Sequence, residues 1–410
     1  MNSLSPKWYL GALSFTIVFA AYAQYLWQYN FQDLPLLKDQ PPGISLQLIG
    51  FLSAVILWIF APWNVNMSKR LLSFVSLLIM TWLVVLITSI LHGDIFSHSV
   101  WTYAPILILL VFKSPSLDQC RFAFVFTGWL IVVVLTATRL YEMLGIIDIA
   151  YIGEGLIGFE QQNYWLPLGG SLGPEYRWPG PMGHNAMTGV MGAYLVVMGA
   201  SLRRFSGLVF VIVGVLTLLL TSSRVAFVAA VIGFAIVLLL GNNRISLKVQ
   251  WQIRALIVGV IAITAAVVAL IASPNLTGRS SYWPAFYDLW LESPWIGVGN
   301  SGKVLADPLI SQTNAHNIFL DVLTMYGVIP LLTMSAALLL VFLASAKAAR
   351  SNRILPLAVV TVFLVVGLTQ SDHGWIVPSE PWWLLVLAAF MASQVVNPAE
   401  VNCENFSEPT

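Results

Sequence analysis

The sequence predicts an all-α, polytopic membrane protein with about 12 transmembrane helices, on three observations. Of 410 residues, 58% are hydrophobic and only 9% are charged, whereas soluble domains carry roughly 25% charged residues. Mean hydropathy is +0.83, so the solvent for most of this surface is lipid. Apolar runs then recur along the chain at close to the ~20 residues that cross a bilayer. Finally, the basic residues fall on alternate connections, as the positive-inside rule requires.

The expected spans are 8–27, 44–63, 71–91, 99–113, 121–145, 183–202, 205–221, 224–241, 253–272, 316–345, 354–370 and 382–396. The first is too long for a cleaved signal peptide and ends without a small-residue cleavage pattern, which makes it a span. The longest, 316–345, contains Gly327 and Pro330, a pattern that predicts a short surface helix, a break and then the span proper.

With the N-terminus cytoplasmic, every short inner connection is basic. Of the nineteen Lys and Arg, only Lys38, Arg139, Arg177, Arg224, Arg279 and Lys303 fall on the outer side. Residues 1–396 therefore read as one transmembrane helical domain with two long extracytoplasmic loops, 146–182 and 273–315. Residues 397–410 read as a cytoplasmic tail with Glu400, Glu404 and Glu408. Loops beyond ~12–15 residues are commonly functional or disordered, and the Trp, Gly and Pro content of these two argues for order.

Several function classes are excluded or unsupported. The basic residues are scattered and never form a run, which gives no footprint for nucleic acid. Cys120 and Cys403 have no zinc spacing and no expected disulfide. There is no Asp-x-Asp, no His-Glu-x-x-His and no phosphate loop. Nothing in the sequence calls for a cofactor or a metal, so any chemistry takes a substrate that arrives already activated.

The outer arginines run against the charge rule, and each needs a reason. Arg224 ends the tight turn Thr221-Ser222-Ser223-Arg224 between two spans. Arg279 opens the second long loop in Gly278-Arg279-Ser280-Ser281-Tyr282-Trp283-Pro284, and Arg177 lies just before Trp178-Pro179-Gly180-Pro181-Met182-Gly183-His184-Asn185. A guanidinium presents a planar fork of donors suited to a phosphate, so arginines at the membrane surface would suit a lipid-linked diphosphate. The competing reading is a lipid headgroup, or an ion pair with Asp288 or Glu292.

The histidines His92, His98, His184, His316 and His373 all fall on the outer side. His316, in Asn314-Ala315-His316-Asn317, immediately precedes an apolar helical pattern. A helix N-terminus disfavours the imidazolium form, and a neutral imidazole there can serve as general base toward a hydroxyl. A purely structural, hydrogen-bonded histidine is the other reading. His184-Asn185 has a similar setting before the span 183–202. Arg139 and Glu142, one turn apart at the outer end of their span, predict a local ion pair. Transporters place ionisable residues near the bilayer midplane, whereas here the polar residues gather at one face, which favours a surface site.

These residues resemble the signature of the O-antigen ligase and polymerase superfamily. The resemblance is carried by Gly278 to Phe286, Ser293-Pro294-Trp295-Ile296-Gly297-Val298-Gly299, Ala315-His316-Asn317-Ile318-Phe319-Leu320 and Tyr326-Gly327. The Ser223-Arg224 turn and the Arg177…Gly180…His184-Asn185 element add to it. The motifs span roughly 177–330, and the twelve-span layout extends the likeness to the whole chain.

The resemblance implies a metal-independent, inverting glycosyltransferase of the inner (cytoplasmic) membrane, with its active site facing the periplasm or extracytoplasmic side. Its implied donor is an undecaprenyl-diphosphate-linked glycan, and its acceptor a lipid or another glycan. Carried over by position, Arg224 and Arg279 would grip the diphosphate and His316 would activate the acceptor hydroxyl. Asn317 would cap and orient, Trp283 would offer a face to sugar, and Arg177 and His184 would complete substrate binding. The loop from Pro274 to Ala315 is compact, which implies a smaller acceptor platform than in typical lipid A-core ligases. A repeat-unit polymerase is the alternative within the family, and a transporter or flippase of lipid-linked glycans or small anions the alternative outside it.

Overall fold

The computed structural model describes residues 10–12, 14, 15 and 18, then 69–93, 116–144, 178, 180–182, 185–202, 205–221, 223–240, 279–299, 315, 317–349, 353–368 and 380–394. The expected spans 44–63, 99–113 and 253–272 lie outside these residues. So do most of 8–27, most of the 146–182 loop and the tail after 397.

Among the described residues every long element is helical: α1 (Lys69–Leu91), α2 (Leu117–Met143), α3 (Asn185–Ser201), α4 (Phe205–Thr221), α5 (Arg224–Leu240), α6 (Arg279–Glu292), α7 (Ile318–Tyr326), α8 (Val328–Ala349), α9 (Leu355–Gly367) and α10 (Glu380–Ser393). By length and apolar composition α1, α2 and α8 suffice to cross a membrane, while α3, α4, α5, α9 and α10 are shorter apolar helices. The described residues are thus all helical in their long elements, and the chain is a multi-pass membrane protein.

The expected spans differ from these helices mainly at their ends, for local reasons. α2 starts at Leu117 rather than 121 because Ser116 and Gln119 form a capping box. Gln119 N–H donates to Ser116 Oγ at 3.3 Å and Ser116 N–H donates to Gln119 Oε1 at 2.8 Å, which satisfies two otherwise orphaned donors. The expected break at Gly327 is present, with α7 ending there and α8 starting at Val328. One element was expected as loop and is helix: α6 occupies 279–292 with Pro284 in its interior. Proline usually ends or kinks a helix, so composition pointed away from this element.

Three helices make the centre. α3 is buried from Ala186 to Val196 and beyond, α9 from Leu355 to Phe363, and α10 from Trp382 to Met391. A helix apolar all round belongs inside a bundle. α3 and α4 form an antiparallel hairpin joined through 202–204, and glycines set their spacing. A Cβ on Gly192 would stand 2.9 Å from Gly214 O, and one on Gly199 would stand 2.6 Å from Gly207 O. Small residues let helix backbones approach in this way in membranes, where dispersion replaces the hydrophobic drive. Some buried hydroxyls bond within their own helices, Thr127 donating to Ala123 O and Thr361 to Leu357 O. Trp383 ties α10 to the N-terminal helical residues through an Nε1–H bond to Ser14 Oγ at 3.0 Å.

α1 packs on α8, with Thr81 donating to Thr333 Oγ1 at 2.7 Å. The opposite face of α1 exposes Leu72, Met80, Leu83 and Ile87, and α4 exposes Phe205, Leu208 and Ile212. In water such continuous patches would drive association. On a membrane bundle they are the lipid-facing surface.

Candidate functional site

Two junctions at helix ends bring together the segments that flank the predicted site residues. The first joins 178–182, the end of α4 and the start of α5. Trp178 is buried and its N–H donates to Leu220 O at 3.1 Å, so the residue after Arg177 is bonded to the last turn before the Arg224 bend. Gly180, at φ +60°, has Thr188 of α3 directly against it. Any side chain there would meet both the left-handed backbone penalty and that threonine. Gly189 of α3 faces Ser223 and Ala226, and further down Val197 faces Gly233, so α3 and α5 run parallel from a common level. Asn185 and Arg224 are their first residues. Two helix N-termini, each with a positive dipole end, therefore lie side by side here. The Trp178 indole N–H is buried without an acceptor.

The second junction is built by α6, the turn 293–299 and α7. Phe286 and Leu289 are the buried face of α6. Thr324 of α7 donates its hydroxyl to Phe286 O at 3.1 Å. The turn is stitched to the far end of α7 by backbone bonds, Val298 N–H to Thr324 O at 2.9 Å and Val328 N–H to Pro294 O at 3.0 Å. Trp290 closes α6 with an Nε1–H bond to Pro294 O at 3.0 Å. Gly297 (φ +67°) presses on the Met325 backbone and Gly327 (φ +83°) on the Trp295 backbone. Both positions thus require glycine for conformation and for space. From α1, the His92 ring Nε2 lies 3.0 Å from Gly297 O, which fixes the turn from its other side.

The same junction holds the chain on either side of position 316. Ala315 N–H donates to the Asp321 carboxylate, 3.0 Å to Oδ1 and 3.2 Å to Oδ2, and Trp283 Nε1–H donates to Ala315 O at 3.0 Å. Asn317 is the N-cap of α7, its Oδ1 accepting from Phe319 N–H at 3.0 Å and Leu320 N–H at 3.2 Å. That cap satisfies two orphan donors. Asp321 is 2% exposed, a depth at which a carboxylate needs such partners.

Of the predicted residues, Arg177, His184 and His316 lie outside the described set. Arg224 and Arg279 are described as the first residues of α5 and α6, without their side chains. Trp283 stands one turn after Arg279, so its bond to Ala315 brings the first turn of α6 beside the chain at 316. α9 packs Ala358 and Val362 near Gly233, midway along α5, and Gly367 against Ile318 of α7. Arg139 and Glu142 form the expected ion pair at 2.6 Å at the end of α2.

Sequence reasoning passed over the roles of four residues. Trp178 was quoted only as part of a motif. Asp321 was not singled out, although a lone acid in the first turn of an apolar helix is a usable signal. The roles of Gly297 and Gly327 as paired contact points depend on a long-range approach that no local pattern carries.

Residues 208–335 match the family model described as O-antigen ligase, a stretch that runs from α4 into α8 and contains Arg224, Arg279 and His316. No curated protein matches the chain. The match covers less than half of the chain, and over that stretch the chain is similar to the O-antigen ligase family.

Proposed function

We propose that the protein is an O-antigen ligase-like glycosyltransferase that moves a glycan from an undecaprenyl-diphosphate carrier to an acceptor hydroxyl on the extracytoplasmic face. The observation that carries this reading is the coincidence of the 208–335 match with the three residues that the transfer needs. His316 takes the proton of the acceptor hydroxyl, and the freed oxygen attacks the anomeric carbon. The bond from that carbon to the diphosphate oxygen breaks, and the electron pair leaves with undecaprenyl diphosphate. Arg224 and Arg279 neutralise the charge that grows there, through bidentate contacts of the kind guanidinium makes with phosphate. Arg177 and His184 support the substrate, and Trp283 and Asn317 line its approach. In-line attack inverts the anomeric centre, and the leaving group is already activated, so neither nucleotide nor metal is required.

Repeat-unit polymerisation is the same chemistry with a second lipid-linked glycan as acceptor. The test is reconstitution of the purified chain in liposomes with a lipid-diphosphate glycan and candidate acceptors, without nucleotide and with chelator. New glycoside of inverted anomeric configuration, released together with carrier diphosphate, is the expected result. Movement of intact carrier across the bilayer without bond exchange would overturn the enzyme reading in favour of transport.

A further inference from the structure

We infer that Asp321 and Trp283 are positioning residues that act on the reaction through the backbone at Ala315. The inference rests on the proposed role of His316 as base.

The two contacts grip the two sides of one residue. The Asp321 carboxylate accepts from Ala315 N–H (3.0 and 3.2 Å), and the Trp283 indole N–H donates to Ala315 O (3.0 Å). The carbonyl held by Trp283 belongs to the peptide that leads into residue 316, so this bond sets the plane in which that residue begins. On its other side, Asn317 is fixed by two bonds from the first turn of α7. Position 316 is therefore bounded by anchors that come from two different helices. Asp321 sits on α7 itself, while Trp283 sits on α6, one turn after Arg279.

The pairing is more than local folding requires. Asn317 already caps α7, so Asp321 is free of that duty and reaches back to Ala315 N–H. Its carboxylate is 2% exposed, and Ala315 is itself 1% exposed. A carboxylate buried this deeply must be hydrogen-bonded, and its two oxygens both reach the Ala315 peptide N–H. Trp283 couples the same peptide to α6, so the first turn of that helix and the Ala315 peptide move together. A base and a leaving-group clamp on one frame keep the distance between attacking hydroxyl and departing diphosphate constant. A displacement of about 1 Å in such an arrangement can cost on the order of 100-fold in rate.

The test measures transfer by the full-length protein in liposomes for Asp321→Asn, Trp283→Phe, His316→Ala and the two combinations with His316→Ala. Asp321→Asn keeps the shape and one acceptor oxygen, and Trp283→Phe keeps a ring while removing the donor, so both retain most of the packing. The expected result is a roughly 10- to 100-fold fall in kcat for each, with donor KM within about twofold and an unchanged unfolding temperature. In the His316→Ala background, where residual product is followed over long incubations, neither change should lower the rate further, because groups acting through one residue are not additive.

Wild-type kcat in both single variants would overturn the inference while leaving the base reading intact. Full additive losses on top of His316→Ala would also overturn it, by showing that Asp321 and Trp283 act elsewhere. If His316→Ala itself keeps wild-type kcat, the base reading fails and the inference built on it falls with it.

Discussion

The junction around Trp178 and the junction around Ala315 hold their residues by different physics. The first is an assembly of spans, where glycines let backbones meet and a backbone bond, Trp178 to Leu220, joins residue 178 to the bundle. The second is an assembly of polar contacts. A buried carboxylate, two indole donors, a helix cap and two positive-φ glycines interlock α6 and α7 over a short distance. Packing by small residues tolerates sliding, because dispersion is individually weak and undirected. Hydrogen bonds and left-handed glycines fix orientation. Under the proposed function, the first junction would receive the bulky lipid-linked group and the second would position the reacting atoms.

The most damaging way to break the second junction is Gly297→Val or Gly327→Val. Each places a branched side chain on backbone already in contact, at φ values that disfavour it. Loss of transfer activity and a fall of several degrees in unfolding temperature are expected, read by thermal melting in detergent. Next is the corresponding change in the bundle, Gly192→Leu, which forces α3 away from α4 at Gly214. An overpacking cost of about 1–3 kcal/mol is expected, visible as reduced stability with a smaller loss of kcat than at Gly297. If both junctions respond alike in kcat, the distinction between them fails.

Asn317→Ala removes the cap of α7 and should cost about 1 kcal/mol, together with a measurable drop in kcat because the cap borders position 316. Asn317→Ser, which keeps a capping oxygen, should restore most of the stability. The smallest effect is expected for Arg139→Ala. Its partner Glu142 is 14% exposed but Arg139 is 41% exposed, and such pairs contribute roughly 0.5 kcal/mol or less in water-facing settings. Activity should stay near wild type.

Much of the bundle was legible in the sequence. α4 starts and ends at the predicted residues 205 and 221, and α5 begins at the predicted Arg224, because the Thr221-Ser222-Ser223-Arg224 bend punctuates two apolar runs. The helix break at Gly327 was legible for the same reason. α6 was not, since Pro284 and the aromatic, glycine-flanked composition mimic a loop, and the helix depends on burying Phe286 and Leu289 against α7. At the candidate site the residue types were readable from chemistry alone, the arginine forks and the histidine before a helix. The anchors were not. Trp283 reaches Ala315 across 32 positions and Thr324 reaches Phe286 across 38, separations at which periodicity carries no information.

The central claim is that both junctions face one diphosphate-linked substrate. It is tested most directly by a lipid-diphosphate glycan with a photoreactive group on the sugar next to the diphosphate, followed by mass-spectrometric mapping of the labelled residues. Label within both 177–224 and 279–317, abolished by excess unmodified carrier glycan, is the predicted result. Label confined to one of these segments, or found at the opposite ends of the helices near Ser201, Leu240 or Ala349, would contradict the account.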